Sequence, residues 1–350
     1  MSAVQKQAFL RPVSTFAVLV LVIGLCVSPV QSLALSVTQL GSTQPRNIVL
    51  FYDDYPTRGD PAFQVTREIV KPLVAHLDQN GQPTDWMFDS FIFFSWWLYV
   101  NNKPTQKYID SWITYLFDGK QVANLDSTVA EVKAALAQPD YKMKVFLSVP
   151  VPYTAVLRVG TSKNSAIMKN VERLLSAWNA LNPSNLELVG FYWGYTESLL
   201  LDEVAKAVPS VADYVHSKGL RLLMIPYYNA VGIDRLHQIG VDYVTIQPNF
   251  AWNTPDDLTR FKTVNDKIVS GYADGAEFEL PGEGDGSLKC CSGNWTANLV
   301  TYFDQAYSYG WTTRLTTYYY GSAISLMGRQ PSPGYRTAYE TIYQYILSAR

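Results

Sequence analysis

Clustered positive charge is missing from this sequence. Charged residues make up only 17% of its 350 positions, and the formal net charge is −2. Phosphate backbones are held by grouped Lys and Arg, so nucleic acid is excluded as the main partner. Histidine is nearly absent: His76, His216 and His237 are the only three. With so few imidazoles and thiols, no zinc centre and no other cofactor is expected. Cysteine is as scarce. Cys26 falls in the N-terminal apolar run, and the other two, Cys290 and Cys291, are adjacent. A vicinal pair closes a strained ring on itself, bonds another chain or stays reduced. In an oxidising compartment the vicinal disulfide is the expected form. No G-x-G-x-x-G follows an apolar run, which removes the main support for a dinucleotide-binding sheet. No Pro-, Ser- or Gly-rich linker splits the chain, so a single domain is expected.

One targeting segment stands apart. Lys6 and Arg11 precede the apolar run FAVLVLVIGLCV (16–27), followed by SPVQSLALS with small residues at Ser32 and Ala34. That is the order of a secretory signal, and the run is short for a membrane span. Leu25 stands where a lipoprotein signal needs a small residue before Cys26. Residues 1–34 are therefore read as a signal peptide and 35–350 as the mature domain, secreted or periplasmic, with no membrane partner after cleavage.

What the chain has in excess is aromatic surface, with 24 Tyr and 9 Trp. Such rings fill cores, and they also stack on flat apolar faces such as those of sugars. Their placement follows a rhythm. Apolar, β-branched runs occur at NIVLFYDD (47–54), DWMFDSFIFF (85–94), KVFLSVP (144–150), LVGFYWGYTES (188–198), RLLMIPYYN (221–229), YVTIQPNF (243–250), GAEFEL (275–280) and TRLTTYYYG (313–321). Helical stretches separate them: 63–79 with a kink near Pro72, 105–117, 127–137, 165–181, a segment closed by Gly219, 233–239, 254–271 with Thr254 as N-cap, 295–309 and 335–347. Eight strands alternating with helices predict an α/β fold, a single-domain (β/α)8 TIM barrel.

A barrel of this kind carries its site at the C-terminal strand ends. Polar and aromatic residues gather there. Asp53 and Asp54 end the first strand, and Asp89 lies within the second. Trp193, Tyr195 and Glu197 end the fourth, and Tyr227, Tyr228 and Asn229 the fifth. Gln247 and Asn249, with Trp252 beyond, end the sixth, and Tyr318 and Tyr320 the eighth. In GAEFEL the period-2 alternation puts Ala276, Phe278 and Leu280 on one face and Glu277 and Glu279 on the other. A carboxylate in an apolar strand must be paired or hydrogen-bonded, or its burial is costly. Each of these groups also has a structural reading, as a cap or a backbone ligand. Glu197 and the β-strand pair fit it least.

Two carboxylates flanking a pocket are the minimum apparatus for cleaving a glycosidic bond. Glu197, ringed by Tyr192, Trp193 and Tyr195, is expected to be the protonated acid. Glu279, near Gln247 and Asn249, is expected to stay ionised, with the deeper Glu277 orienting it. A carbohydrate is the expected partner. A barrel that binds carbohydrate without cleaving it is the alternative. Retention or inversion hangs on the carboxyl separation, about 5 Å against roughly 6.5–9.5 Å. The Gly-rich stretch PGEGDGSLKCCSGN (281–294) reads as a rim loop.

The segments GFYWGYTES, SKGLRLLMIPYYNA, GVDYVTIQPNFAW and GAEFEL together resemble a bacterial family, domain of unknown function family 4855, over about residues 47–347. The resemblance implies a (β/α)8 barrel related to glycoside hydrolases. The acids on strands four and seven are similar to those of the large retaining glycosidase clan. That clan carries Asn before its strand-four acid, whereas Thr196 precedes Glu197 here, so the Asn contact is not implied.

Overall fold

Apolar runs become parallel strands in the computed structural model, which describes residues 44–53, 64–95, 105–151, 162–194, 205–251, 257–280, 295–319, 321–329 and 333–350. In chain order the strands are β1 (Asn47–Tyr52), β2 (Ala75–Leu77), β3 (Pro83–Trp86), β4 (Ser90–Phe94), β5 (Met143–Ser148), β6 (Leu186–Trp193), β7 (Arg221–Met224), β8 (Tyr243–Ile246), β9 (Gly275–Phe278) and β10 (Leu315–Tyr318). β2 and β3 pair only with each other. The remaining eight close in the order β1-β10-β9-β8-β7-β6-β5-β4, every pair parallel. The chain is a TIM barrel.

The helices among the described residues are α1 (Arg67–Val74), α2 (Gln106–Phe117), α3 (Gln121–Ala135), α4 (Ser162–Leu181), α5 (Val208–Ser217), α6 (Thr259–Val269), α7 (Trp295–Ser308), α8 (Gly321–Arg329) and α9 (Pro333–Ser348). Two expectations need correction. The helix read over 63–79 is only α1, because residues 75–77 pair with 83–86 in an antiparallel hairpin. Its turn is Asn80-Gly81, with Gly81 at φ 74 and the Asp78 carboxylate accepting from the Asn80 and Gln82 amides. An Asn-Gly pair is a strong hairpin signal, and here it overrode the helical pattern. The second strand accordingly starts at Ser90, not at Asp85. Helix α8 had no counterpart in the sequence reading. It packs on β1, where Gly321 sits against Leu50 O and Val49.

Three aspartates fasten the lower, N-terminal rim in the same way. Asp89, Asp242 and Asp274 each stand one residue before a barrel strand. Each donates its own N–H to a carbonyl at the start of the strand before it in the chain's barrel order, and its carboxylate accepts that same residue's N–H. The partners are Asn47 (3.2 and 3.1 Å), Leu222 (2.9 and 2.8 Å) and Val244 (2.7 and 2.7 Å). Two bonds to one residue fix register, which a parallel ladder otherwise sets only through its side-chain pattern. Asp242 also holds His216 at 2.7 Å and Arg221 at 3.1 Å. Asp242→Ala should destabilise the barrel by about 2–3 kcal/mol, since it strips a charge-assisted bond from a partly buried amide. Urea unfolding of the variant checks this, and an unchanged midpoint would show the clamp to be idle.

Candidate active site

Register determines which side chains enter the barrel. Thr245 and Thr317 lie on strands either side of β9, and their hydroxyls meet at 2.8 Å. Thr317 pairs with Glu277 and with Ile48. Paired residues of parallel strands share a face, so Ile48, Leu50 and Tyr52 on β1 point inward. From Tyr52 the inward face continues through Phe94, which it pairs with, and through Ser148 and Tyr192, which pair with each other. Small residues allow the strands to close. An added Cβ at Gly275 would lie 1.6 Å from Leu315 O.

The inward rings form an arc near the C-terminal ends. Tyr52 meets Tyr319 (5.3 Å, 86°) and Phe94 (5.1 Å, 68°), and Phe94 meets Tyr192 (5.5 Å, 68°). These edge-to-face contacts fix each ring against the next. The arc spans β10, β1, β4 and β6. Between Phe94 and Tyr192 stands Ser148, its hydroxyl bonded to Phe93 O at 2.8 Å. Beyond Leu223 of β7, which pairs with Tyr192, the wall turns polar. Past the end of β8, Gln247 pairs with Tyr227 in an isolated bridge, and its amide donates to Pro226 O at 2.8 Å. Next to it are Glu277 on β9 and Glu279, one residue past the end of that strand.

Both acids are buried, Glu277 with 2% of its surface exposed and Glu279 with none. One oxygen of Glu279, Oε2, accepts from the Phe250 N–H at 2.8 Å and from the Tyr302 hydroxyl. Its other oxygen, Oε1, has no hydrogen-bond partner among the described residues, and neither does Glu277 Oε1. Burial pushes Glu279 up to about 7. The Tyr302 hydroxyl, Gln247 and the amides of Phe250 and Ala251 all pull the other way by favouring the charged form. Glu277 is also raised well above the usual carboxyl range, by burial first and by the neighbouring Glu279 second. The expectation of a fully ionised Glu279 is therefore corrected: near pH 7 it stands between its two states, and burial favours the neutral form of the deeper Glu277.

Several sequence-nominated residues lie elsewhere. Trp193 follows Tyr192 on β6 and so takes the opposite, helix-facing side with Phe191, 1% exposed. Tyr318 is also on the outer side. It is 1% exposed, its ring lies 4.9 Å from Phe88 and 5.5 Å from Phe278, and its hydroxyl donates to Asn47 Oδ1 at 3.2 Å. Asp89 is a rim clamp at the wrong end of the barrel for the site, bonded to the Arg46 and Asn47 amides and to Ser90 Oγ. Asp53 is buried just past β1, its N–H donating to Phe94 O at 2.7 Å. Tyr228 is half-buried with the Arg260 guanidinium 5.0 Å above its ring, and Asn229 is exposed. Asn249 takes a left-handed φ of 54°, and its carbonyl accepts from Arg260 Nη1 at 2.6 Å. Asp54, Tyr195, Glu197, Trp252, Tyr320 and the Cys290–Cys291 pair lie outside the described residues, as do residues 1–43.

The sequence reading nominated neither Tyr52, Phe94 nor Tyr302. Strict alternation counted back along β1 and β4 would have found the first two. Nothing local marks Tyr302, which sits on α7, 23 residues from the acid it touches. Among the described residues, no cluster of three His, Cys, Asp or Glu could hold a metal ion.

Two solved structures that the chain matches are a candidate alpha-L-fucosidase from Bacteroides thetaiotaomicron VPI-5482 and an immunomodulatory active chitinase from Trichuris suis. The first is 12% identical with a TM-score of 0.47, covering 85% of this chain and 94% of that one. The second is 11% identical with a TM-score of 0.38, covering 68% and 66%. Likeness at this level says nothing about the site. No curated protein matches the chain. The family pattern named domain of unknown function DUF4855 matches residues 47–344, and with its barrel strands all inside that span the chain belongs to the DUF4855 family.

Proposed function

We propose that this protein is a secreted glycoside hydrolase that cleaves an O-glycosyl bond of an oligo- or polysaccharide with two carboxylates, Glu197 and Glu279, and needs no cofactor. The observation that carries the reading is the division of the barrel interior. An aromatic arc of Tyr319, Tyr52, Phe94 and Tyr192 faces a polar wall of Gln247, Glu277 and Glu279. A pyranose has the same division: C–H faces that pack on rings, and hydroxyl edges that bond carboxylates and amides. Glu197 is the proton donor in this reading and Glu279 the group that attacks the anomeric carbon or activates water. Tyr227 bridges to Gln247, and Asn249 immediately precedes the Phe250 amide that binds Glu279.

One observation favours a second reading. Glu279 is wholly buried, and its Oε2 ties down the Phe250 amide, as a plain loop anchor would. On that reading the barrel binds carbohydrate without cleaving it. Mature protein incubated with a panel of polysaccharides separates the two, with Glu197→Gln alongside. New reducing ends with wild type and none with the variant support the hydrolase and its donor. Binding by calorimetry without products at any pH would make it a binder. Equal products from both proteins would remove Glu197 from the mechanism.

A further inference from the structure

We propose that Tyr302, a residue of the outer helix layer, is the positioning residue of Glu279: with the Phe250 amide it locks Oε2 of that acid and leaves Oε1 as the oxygen that meets the ligand. This rests on the reading of Glu279 as a working carboxylate.

The two oxygens of Glu279 are treated differently by the fold. Oε2 takes both donors, the Tyr302 hydroxyl and the Phe250 N–H. Oε1 is buried and has none among the described residues. A buried acceptor without a partner is costly, and natural folds keep few of them. The donors themselves are held rigidly. The Tyr302 ring is caught between Phe261 (5.0 Å, 81°), Phe278 (5.7 Å, 43°) and Phe250 (5.8 Å, 85°), so its hydroxyl has no room to swing. The loop carrying Phe250 is pinned one residue earlier, where the Asn249 carbonyl accepts from Arg260 of α6. Two helices, α6 and α7, thus aim two donors at one carboxylate oxygen from outside the barrel. A fixed carboxylate plane is what an in-line attack or a water activation requires. The other titratable or polar groups that face Glu279 among the described residues are Glu277 on β9, Gln247 just past β8 and the Ala251 amide.

The test is a 13C NMR titration of carboxyl-labelled Glu in the full mature chain, with the Glu279 signal assigned by its loss in Glu279→Gln. It needs no substrate. Tyr302→Phe keeps the ring contacts and removes one donor to the charged form. The Glu279 midpoint should move to higher pH by about one pH unit or more. Should that variant fold poorly, 3-fluorotyrosine at 302, a stronger donor, should move the midpoint to lower pH. With a cleaved glycan in hand, Tyr302→Phe should lower kcat with little change in KM, and shift the acidic limb of the rate profile in step with the NMR midpoint. An unmoved midpoint overturns the proposal, whatever the activity. So does a moved midpoint with an unmoved rate profile, which would make Tyr302 a packing residue. A moved midpoint in a protein that cleaves no glycan upholds the positioning and rejects only the hydrolase.

Discussion

Glu279→Gln is expected to leave the barrel folded and to reduce glycan turnover by at least about 10³-fold. The amide oxygen of Gln can still accept from the Phe250 N–H and the Tyr302 hydroxyl, so the geometry survives. What disappears is the negative charge that would stabilise, or attack, an oxocarbenium-like centre. Binding measured by calorimetry on the variant should stay within a few-fold of wild type. Glu197→Gln should behave differently in one respect. An aryl glycoside with a very acidic leaving group needs no proton, so it should rescue turnover in Glu197→Gln and not in Glu279→Gln. Rescue in both, or in neither, would mean the two acids do not divide the work in this way. Glu277→Gln, a change beside the working acid, should fall between wild type and Glu279→Gln.

The second large effect is on stability and follows from the same burial. The folded protein holds Glu279 at about 7, above its ordinary value of 4.5, and burial raises Glu277 in the same direction. Between those values the folded chain keeps a proton that the unfolded chain has released. Stability from this group is therefore complete below about pH 4.5 and is lost as pH rises through 7. For Glu279 alone the difference amounts to about 3 kcal/mol. Asp89 and Asp274, both raised by burial, add slopes of the same sign. Glu279→Gln should match wild type near pH 4 and exceed it by up to about 3 kcal/mol at pH 8. Urea unfolding from pH 4 to 8 measures the two slopes. Parallel curves would show that the acid is not strained in the native state. A mutant that is inactive and yet more stable is the expected mark of a site held at a cost to the fold.

Much of this was legible before any coordinates. Eight apolar runs spaced by helical stretches specified the barrel, because a parallel strand buried on both faces has to be nearly all apolar, and β1 reads NIVLFY for that reason. Alternation in GAEFEL set Glu277 opposite Phe278, which meets Tyr302, Phe303 and Tyr345; Glu279, one residue past β9, also reaches Tyr302. The same alternation, applied to GFYWGYTES, separates Tyr192 from Trp193, and grouping them as one aromatic pocket was the error. The helix read over 63–79 failed because cross-strand pairing to 83–86 outweighed local periodicity.

Apart from the β2–β3 hairpin and helix α8, which it did not give away, the sequence alone determined the alternation of barrel strands with helices, the count of eight barrel strands and the faces of side chains within one strand. These depend on near neighbours and a fixed repeat of two or 3.6 residues. Only the tertiary structure decided that Asp89 is a clamp and not a ligand, since its partners lie 43 and 42 residues away. It alone brought Tyr302 to Glu279 and set that acid between its two charge states. Charge depends on burial and on donors contributed by other elements, and closure of the barrel is what assembles them.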